Sequence, residues 1–178
     1  VGTVFSKIFE TNRGYLNVIL RALHLDFLCQ QWLATPKTAL ACLLFVNIWQ
    51  WTGYSMLMYY TNMLNIPQDL YESATIDGAG SFKQFIYITF PLLRGTHITL
   101  IILDILGALK FFDLSYVLTD GGPAHATETF STYIYTKSFS TFQQGQASTI
   151  VVYMFLIAMV LTVIQLKIYY KKDKKEMS

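Results

Sequence analysis

The 178-residue chain is 53% hydrophobic and only 13% charged, with a mean hydropathy of +0.40 and a formal net charge of +2. A soluble domain carries about 25% charged residues; here the deficit is concentrated in three long apolar runs, which excludes an ordinary soluble domain and points to an all-α, multi-pass membrane protein. Cys29 and Cys42 have no neighbouring histidines and Cys42 lies inside an apolar run, so neither a metal site nor a disulfide is expected.

Residues 1–37 are mixed. Leu16, Ile19, Leu20, Leu23 and Phe27 recur at helical spacing while Arg21, His24 and Gln31 fall on other faces, the pattern of an amphipathic helix lying along a bilayer surface. Trp32 suits the headgroup level, and His24 reads as a surface residue. Residues 38–63 form the first expected span: about 25 residues at 1.5 Å each can cross a hydrocarbon core of about 30 Å. Pro36 restrains its start and Pro67 follows its end. Inside it, Asn47, Gln50, Trp51 and Tyr54 fall at i, i+3, i+4 and i+7, on one helical face.

Residues 64–91 interrupt the apolar runs. Asp69, Glu72 and Asp77 sit among helix formers and small residues. Gly78, Ala79, Gly80 and Ser81 then supply a permissive turn, and residues 82–90 read as a second helical piece that stops at Pro91. The expectation is two short helices joined by a glycine hinge at a membrane surface. Glu72, Ser73, Ala74, Asp77, Gly78, Ala79, Ile88 and Pro91 resemble the EAA loop of binding-protein-dependent ABC importer permeases. In that family a glutamate and two small residues precede a glycine and an Ile-x-x-Pro ending. Ser73 stands where the family has alanine, a departure that keeps the volume small.

Residues 92–118 form the second expected span. Asp104, Lys110 and Asp113 lie within it, ions that a lipid-facing helix carries only at high cost. Asp104, Ala108 and Phe111 share a face at i, i+4 and i+7. Lys110 and Asp113 are spaced for a structural ion pair, whereas Asp104 has no local partner. Residues 119–146 follow as a loop. Within and around it, Leu118-Thr119-Asp120-Gly121-Gly122-Pro123, Thr127, Tyr133, Tyr135, Phe139, Gly145 and Ala147 resemble the sugar-transporting branch of the same family. Gly121-Gly122-Pro123 makes a tight turn as the chain leaves the membrane, and the aromatics anchor a short returning helix. Residues 147–169 form the third expected span, almost purely apolar. Lys167, Lys171, Lys172, Lys174 and Lys175 end it, a cluster that marks a cytoplasmic terminus and is too short to read as a nucleic-acid site. Residues 64–91 then lie inside as well, and 1–37 and 119–146 outside.

The resemblance implies a bacterial or archaeal plasma-membrane permease importing a carbohydrate, with a same-type permease for glycerol phosphate or another polyol derivative as the alternative. It implies about six core spans, of which this chain supplies the C-terminal three, so the chain is expected to be N-terminally incomplete. Residues 1–37 are then an external interfacial segment and 38–178 a partial permease domain. The implied partners are cytoplasmic ATP-binding subunits, a second homologous permease, an extracellular solute-binding protein, the sugar and the bilayer, with no nucleic acid. No G-x-x-x-x-G-K-[ST] loop is present, so no cofactor is expected on this chain and ATP–Mg belongs to the partner ATPase. Glu72, Ser73, Ala74, Asp77, Gly78 and Ala79 are the implied ATPase-coupling residues, with Tyr71, Ile76 and Phe82 as apolar grip. Asn47, Gln50, Trp51, Tyr54, Asp104 and Phe111 are the candidate substrate pathway, since amides or carboxylates beside aromatic plates suit a sugar's polar rim and apolar face. No catalytic residues are expected. A membrane enzyme using Asp104 and Asp113 is disfavoured, because nine residues of helix separate them by about 13 Å. His97 and His125 have no metal-ligand spacing.

Overall fold

The structure, a computed structural model, describes the backbone of residues 1–176 and the side chains of residues 1–167. Among the described residues every regular element is a helix. In chain order these are α1 (Gly2–Ile8), α2 (Tyr15–Ala22), α3 (Pro36–Met63), α4 (Gln68–Ile76), α5 (Ser81–Leu92), α6 (Arg94–Leu109), α7 (Asp113–Thr119), α8 (Phe130–Tyr135) and α9 (Gln144–Glu176). The chain divides into two compact units. One holds Val1–Gln50 and Leu106–Val160, the other Trp51–Ile105 and the chain from Leu161 onward.

In the first unit Phe9, Cys42, Val46, Leu114 and Leu118 are buried together, with Phe5, Ile8, Leu16, Trp32, Leu33 and Phe111 packed around them. Asn17, only 2% exposed, pins the segment before α3. Its Nδ2 donates to the carbonyls of Thr11 and Gln30, each at 3.0 Å, and its Oδ1 accepts from Trp32 Nε1 at 2.8 Å. The surface helix expected over residues 16–27 is therefore corrected. Helix α2 ends at Ala22, His24 adopts a left-handed φ of 58°, and Phe27 lies in the 3-10 turn Asp26–Leu28. A buried amide must be hydrogen-bonded. That requirement folds the segment back and commits the Trp32 indole to Asn17.

By length and apolarity Gln144–Lys167 of α9 can cross a bilayer, and α5 with α6 meets the same test only if the pair, bent by 63°, counts as one span. Helix α3 has the length, 28 residues or about 42 Å, but its apolar character gives way to polar side chains from Asn47 onward. Val152, Tyr153, Phe155 and Met159 of α9 are exposed; contiguous apolar surface of this kind is what lipid or a partner helix covers. The side chains of Lys171, Lys172, Lys174 and Lys175, from which the topology was read, lie outside the described residues.

The second expected span is also corrected. Helix α6 stops at Leu109 and the chain re-enters a helix at Asp113. The Phe111 N–H bonds the Ala108 carbonyl at 3.3 Å, a tightened last turn, and the Phe111 ring then joins the buried cluster of the first unit. Lys110 and Asp113 flank this break and form no ion pair with each other. Their three-residue spacing would bring them together only on an unbroken helix.

Candidate functional site

The loop between α3 and α6 is an ordered hook in the second unit. Helix α4 starts after Pro67 and carries Asp69 in its first turn, where a carboxylate opposes the positive end of the helix dipole. It ends in a Schellman cap. The Gly78 N–H bonds the Thr75 carbonyl at 3.0 Å and the Ala79 N–H bonds the Ala74 carbonyl at 2.9 Å. Gly78 takes φ +76°, a conformation that costs a residue with a Cβ about 1–2 kcal/mol. Gly78 is thus a fixed corner, and Ala74 and Ala79 are the small residues on which that corner closes.

Two side chains of α5, Gln84 and Thr89, fasten it onto α4 and its cap. Gln84 Nε2 donates to Thr75 Oγ1 at 2.9 Å and to the Ala79 carbonyl at 3.1 Å. Tyr71 Oη and Thr89 Oγ1 share a hydrogen at 2.8 Å, and Thr89 is only 4% exposed. Tyr71 therefore faces inward and is not part of an exposed grip. The surface of the hook belongs to others: Glu72, Ser73 and Asp77 are exposed, and Ile76 and Phe82 are 87% and 76% exposed. A rigid corner bearing two carboxylates and two bare apolar side chains can dock in a cleft lined by basic and apolar groups.

The expected stop at Pro91 is corrected. Helix α5 runs through Pro91 to Leu92, and the 63° bend falls at Leu93. Just before the proline the backbone widens into a π-helical turn, Phe85–Thr89, with the Phe90 N–H reaching the Phe85 carbonyl. A proline lacks the N–H that would bond the carbonyl four residues back and its ring crowds that carbonyl. The shifted register accommodates this, and the helix bends two residues later than it breaks in the sequence reading. Across the bend, His97 Nε2 lies 3.1 Å from the Phe90 carbonyl and His97 Nδ1 lies 2.8 Å from Tyr59 Oη of α3.

The substrate-pathway candidates divide between the units. Asn47, Gln50 and Phe111 belong to the first; Trp51, Tyr54 and Asp104 belong to the second. Asn47 is half-buried, Gln50 and Asp104 are exposed, and the rings of Trp51 and Tyr54 meet edge to face at 6.1 Å. Phe111 does not share a helical face with Asp104, because α6 ends at Leu109. It packs in the core, and its carbonyl accepts from Thr129 Oγ1 at 2.6 Å.

The turn after α7 is held by Thr127. Its Oγ1 donates to the Gly122 carbonyl at 2.7 Å and lies 2.6 Å from Thr119 Oγ1, and its carbonyl accepts from buried Ser115 Oγ at 2.5 Å. Gly121, at φ +79°, permits the reversal. A capping box between Thr129 and Thr132 then starts α8. The rings of Phe112, Tyr116, Tyr135 and Phe139 stack beside it. Tyr116, Asp120, His125, Glu128 and Tyr135 line an open, polar concavity of about 320 Å³.

Sequence reasoning missed Gln84, Thr89, Tyr59, His97, Ser115 and Asn17. Their partners lie 5 to 38 residues away, and no local pattern announces them.

An all-helical chain with a capped, exposed hook between α3 and α6 fits the class of helical membrane permeases. Residues 7–172 match the model of the binding-protein-dependent transport system inner membrane component, and the chain belongs to that family. It is 35% identical over 176 residues to the probable ABC transporter permease protein YurN of Bacillus subtilis, covering 99% of this chain and 60% of that protein. It is also 35% identical over 161 residues to the trehalose/maltose transport system permease protein MalF of Thermococcus litoralis, covering 90% of this chain and 54% of that one. The chain thus spans little more than half the length of these curated relatives. A crystal structure of a bacterial ABC transporter involved in the import of the acidic polysaccharide alginate matches with a TM-score of 0.83 at 22% identity, over 95% of this chain and 59% of that one. That likeness speaks to the fold.

Proposed function

We propose that the chain is part of a permease subunit that imports a carbohydrate, an oligosaccharide foremost, through the plasma membrane. The observation that carries this reading is the fastened hook, with Ile76 and Phe82 bare at its corner and Glu72 and Asp77 beside them. A force from a separate protein enters the membrane helices only through a part that is exposed, stiff and continuous with them. The names of relatives that carry trehalose, maltose and arabinooligosaccharides support a sugar as cargo. In this reading the hook faces the cytoplasm and docks on ATP-binding subunits that hold ATP–Mg. The C-terminus lies on the same side. A second permease completes the pathway, and a solute-binding protein delivers the sugar from outside. Asn47, Gln50, Trp51, Tyr54 and Asp104 line the path. Phe111 is left out because it is packed in the core.

The family has no chemistry of its own to perform at the sugar. Transport consists of exposing the polar and aromatic lining to one side and then the other, driven by helix movement. The test is uptake of labelled oligosaccharides into vesicles containing the assembled transporter. Uptake that requires both ATP and the binding protein is the expected result; uptake indifferent to both contradicts the reading.

A further inference from the structure

The hook does not end at α5. Tyr71 of α4 bonds Thr89 at 2.8 Å. The next residue, Phe90, presents its carbonyl to His97 Nε2 at 3.1 Å. His97 Nδ1 meets Tyr59 Oη of α3 at 2.8 Å. A carbonyl can only accept, so Nε2 carries the imidazole proton; in the neutral ring Nδ1 then accepts from the tyrosine hydroxyl. Both ring nitrogens are thereby used, each toward a different helix. The imidazole also packs on the rings it joins, with centroids 4.6 Å from Phe90 and 5.2 Å from Tyr59. Phe90 precedes the 63° bend and His97 follows it. The last carbonyls of a helix lack partners within it, and here a side chain from beyond the bend supplies one.

We propose that His97 is the positioning residue that ties the hook to α3, so that displacement of α4 passes through Thr89, Phe90 and His97 into the helix carrying Trp51 and Tyr54. The proposal rests on the transport reading above and goes beyond it, since it assigns a role to a residue outside the EAA-like positions. Without the imidazole, the proline-weakened joint at Leu93 absorbs the movement. With it, α5, α6 and the lower part of α3 move as one piece.

The test uses the complete assembled transporter in vesicles and reads sugar moved per ATP hydrolysed. His97→Phe keeps a ring against Phe90 and removes both hydrogen bonds; His97→Gln keeps a donor and an acceptor; Tyr59→Phe removes one bond. His97→Phe should lower sugar per ATP about tenfold while hydrolysis stays within about twofold, a coupling loss within the range seen along such networks. His97→Gln should recover much of it. The double variant Tyr59→Phe, His97→Phe should be no worse than His97→Phe alone, since neighbours in one network do not add. In the same samples, amide exchange over residues 92–97 should rise in His97→Phe, a readout that stands even if the cargo is misidentified. An unchanged ratio, or uptake and hydrolysis falling in proportion, overturns the proposal. Wild-type transporter with no ATP-driven uptake refutes the transport reading instead, and unchanged amide exchange would then reject the joint itself.

Discussion

At the scale of single residues, the hook separates side chains that shape it from side chains that are available to a partner. Gly78 shapes it. Its φ of +76° and its N–H bond to Thr75 can be met by asparagine at small cost but not by proline, which has neither the N–H nor the φ. Gly78→Pro should therefore abolish uptake in a protein that still inserts, while Gly78→Asn should retain most of it; equal activity of the two would remove the cap from the account. Glu72 is the opposite case. It is exposed and makes no hydrogen bond or ion pair within the loop. Glu72→Ala should leave thermal stability unchanged, as surface substitutions within about 0.5 kcal/mol do, and should still lower uptake and ATPase retention together. A variant with full uptake would show that the carboxylate has no partner.

At the scale of elements, two short helices meeting at a glycine were legible because helix formers, small residues and turn residues are local signals. The fastening was not. Gln84 and Thr89 reach back 5 to 18 residues, and nothing in a neutral amide or hydroxyl announces a partner at that distance. The same limit explains the proline. Pro91 signals a break, but the π-helical turn that lets α5 run through it is a property of packing, and the bend emerges two residues later at Leu93. Gln84→Leu tests the fastening. It keeps the bulk and deletes two hydrogen bonds worth about 1 kcal/mol each. Protease nicking across residues 78–81 should accelerate several-fold, because local opening sets that rate, and uptake should fall. An unchanged nicking rate means the helices hold their angle without the amide.

At the scale of the whole molecule, the all-helical membrane class followed from hydropathy alone, and helix α9 covers the residues of the expected third span. The second did not, because a buried core drew Phe111 out of helical register and broke the run at Lys110. The segment before α3 was misread for a related reason: the apolar spacing was there, but buried Asn17 and its bonds to Thr11, Gln30 and Trp32 decide its path. Asp104 is exposed and has no hydrogen-bond or ion-pair partner among the described side chains. An ion expected within a span is a candidate for function. Asp104→Leu should change the apparent affinity or specificity for sugar without loss of assembly, and identical uptake kinetics would make the carboxylate dispensable.

The central claim is that the hook faces a nucleotide-hydrolysing partner in the cytoplasm. Ile76, 87% exposed at its corner, offers the most direct measurement. In a chain with Cys29→Ser and Cys42→Ala, a cysteine placed by Ile76→Cys would be challenged with a membrane-impermeant maleimide. The account predicts labelling in inside-out vesicles only, with protection when the ATPase subunits are bound. Labelling of intact cells from outside, or labelling that bound ATPase does not slow, would contradict it.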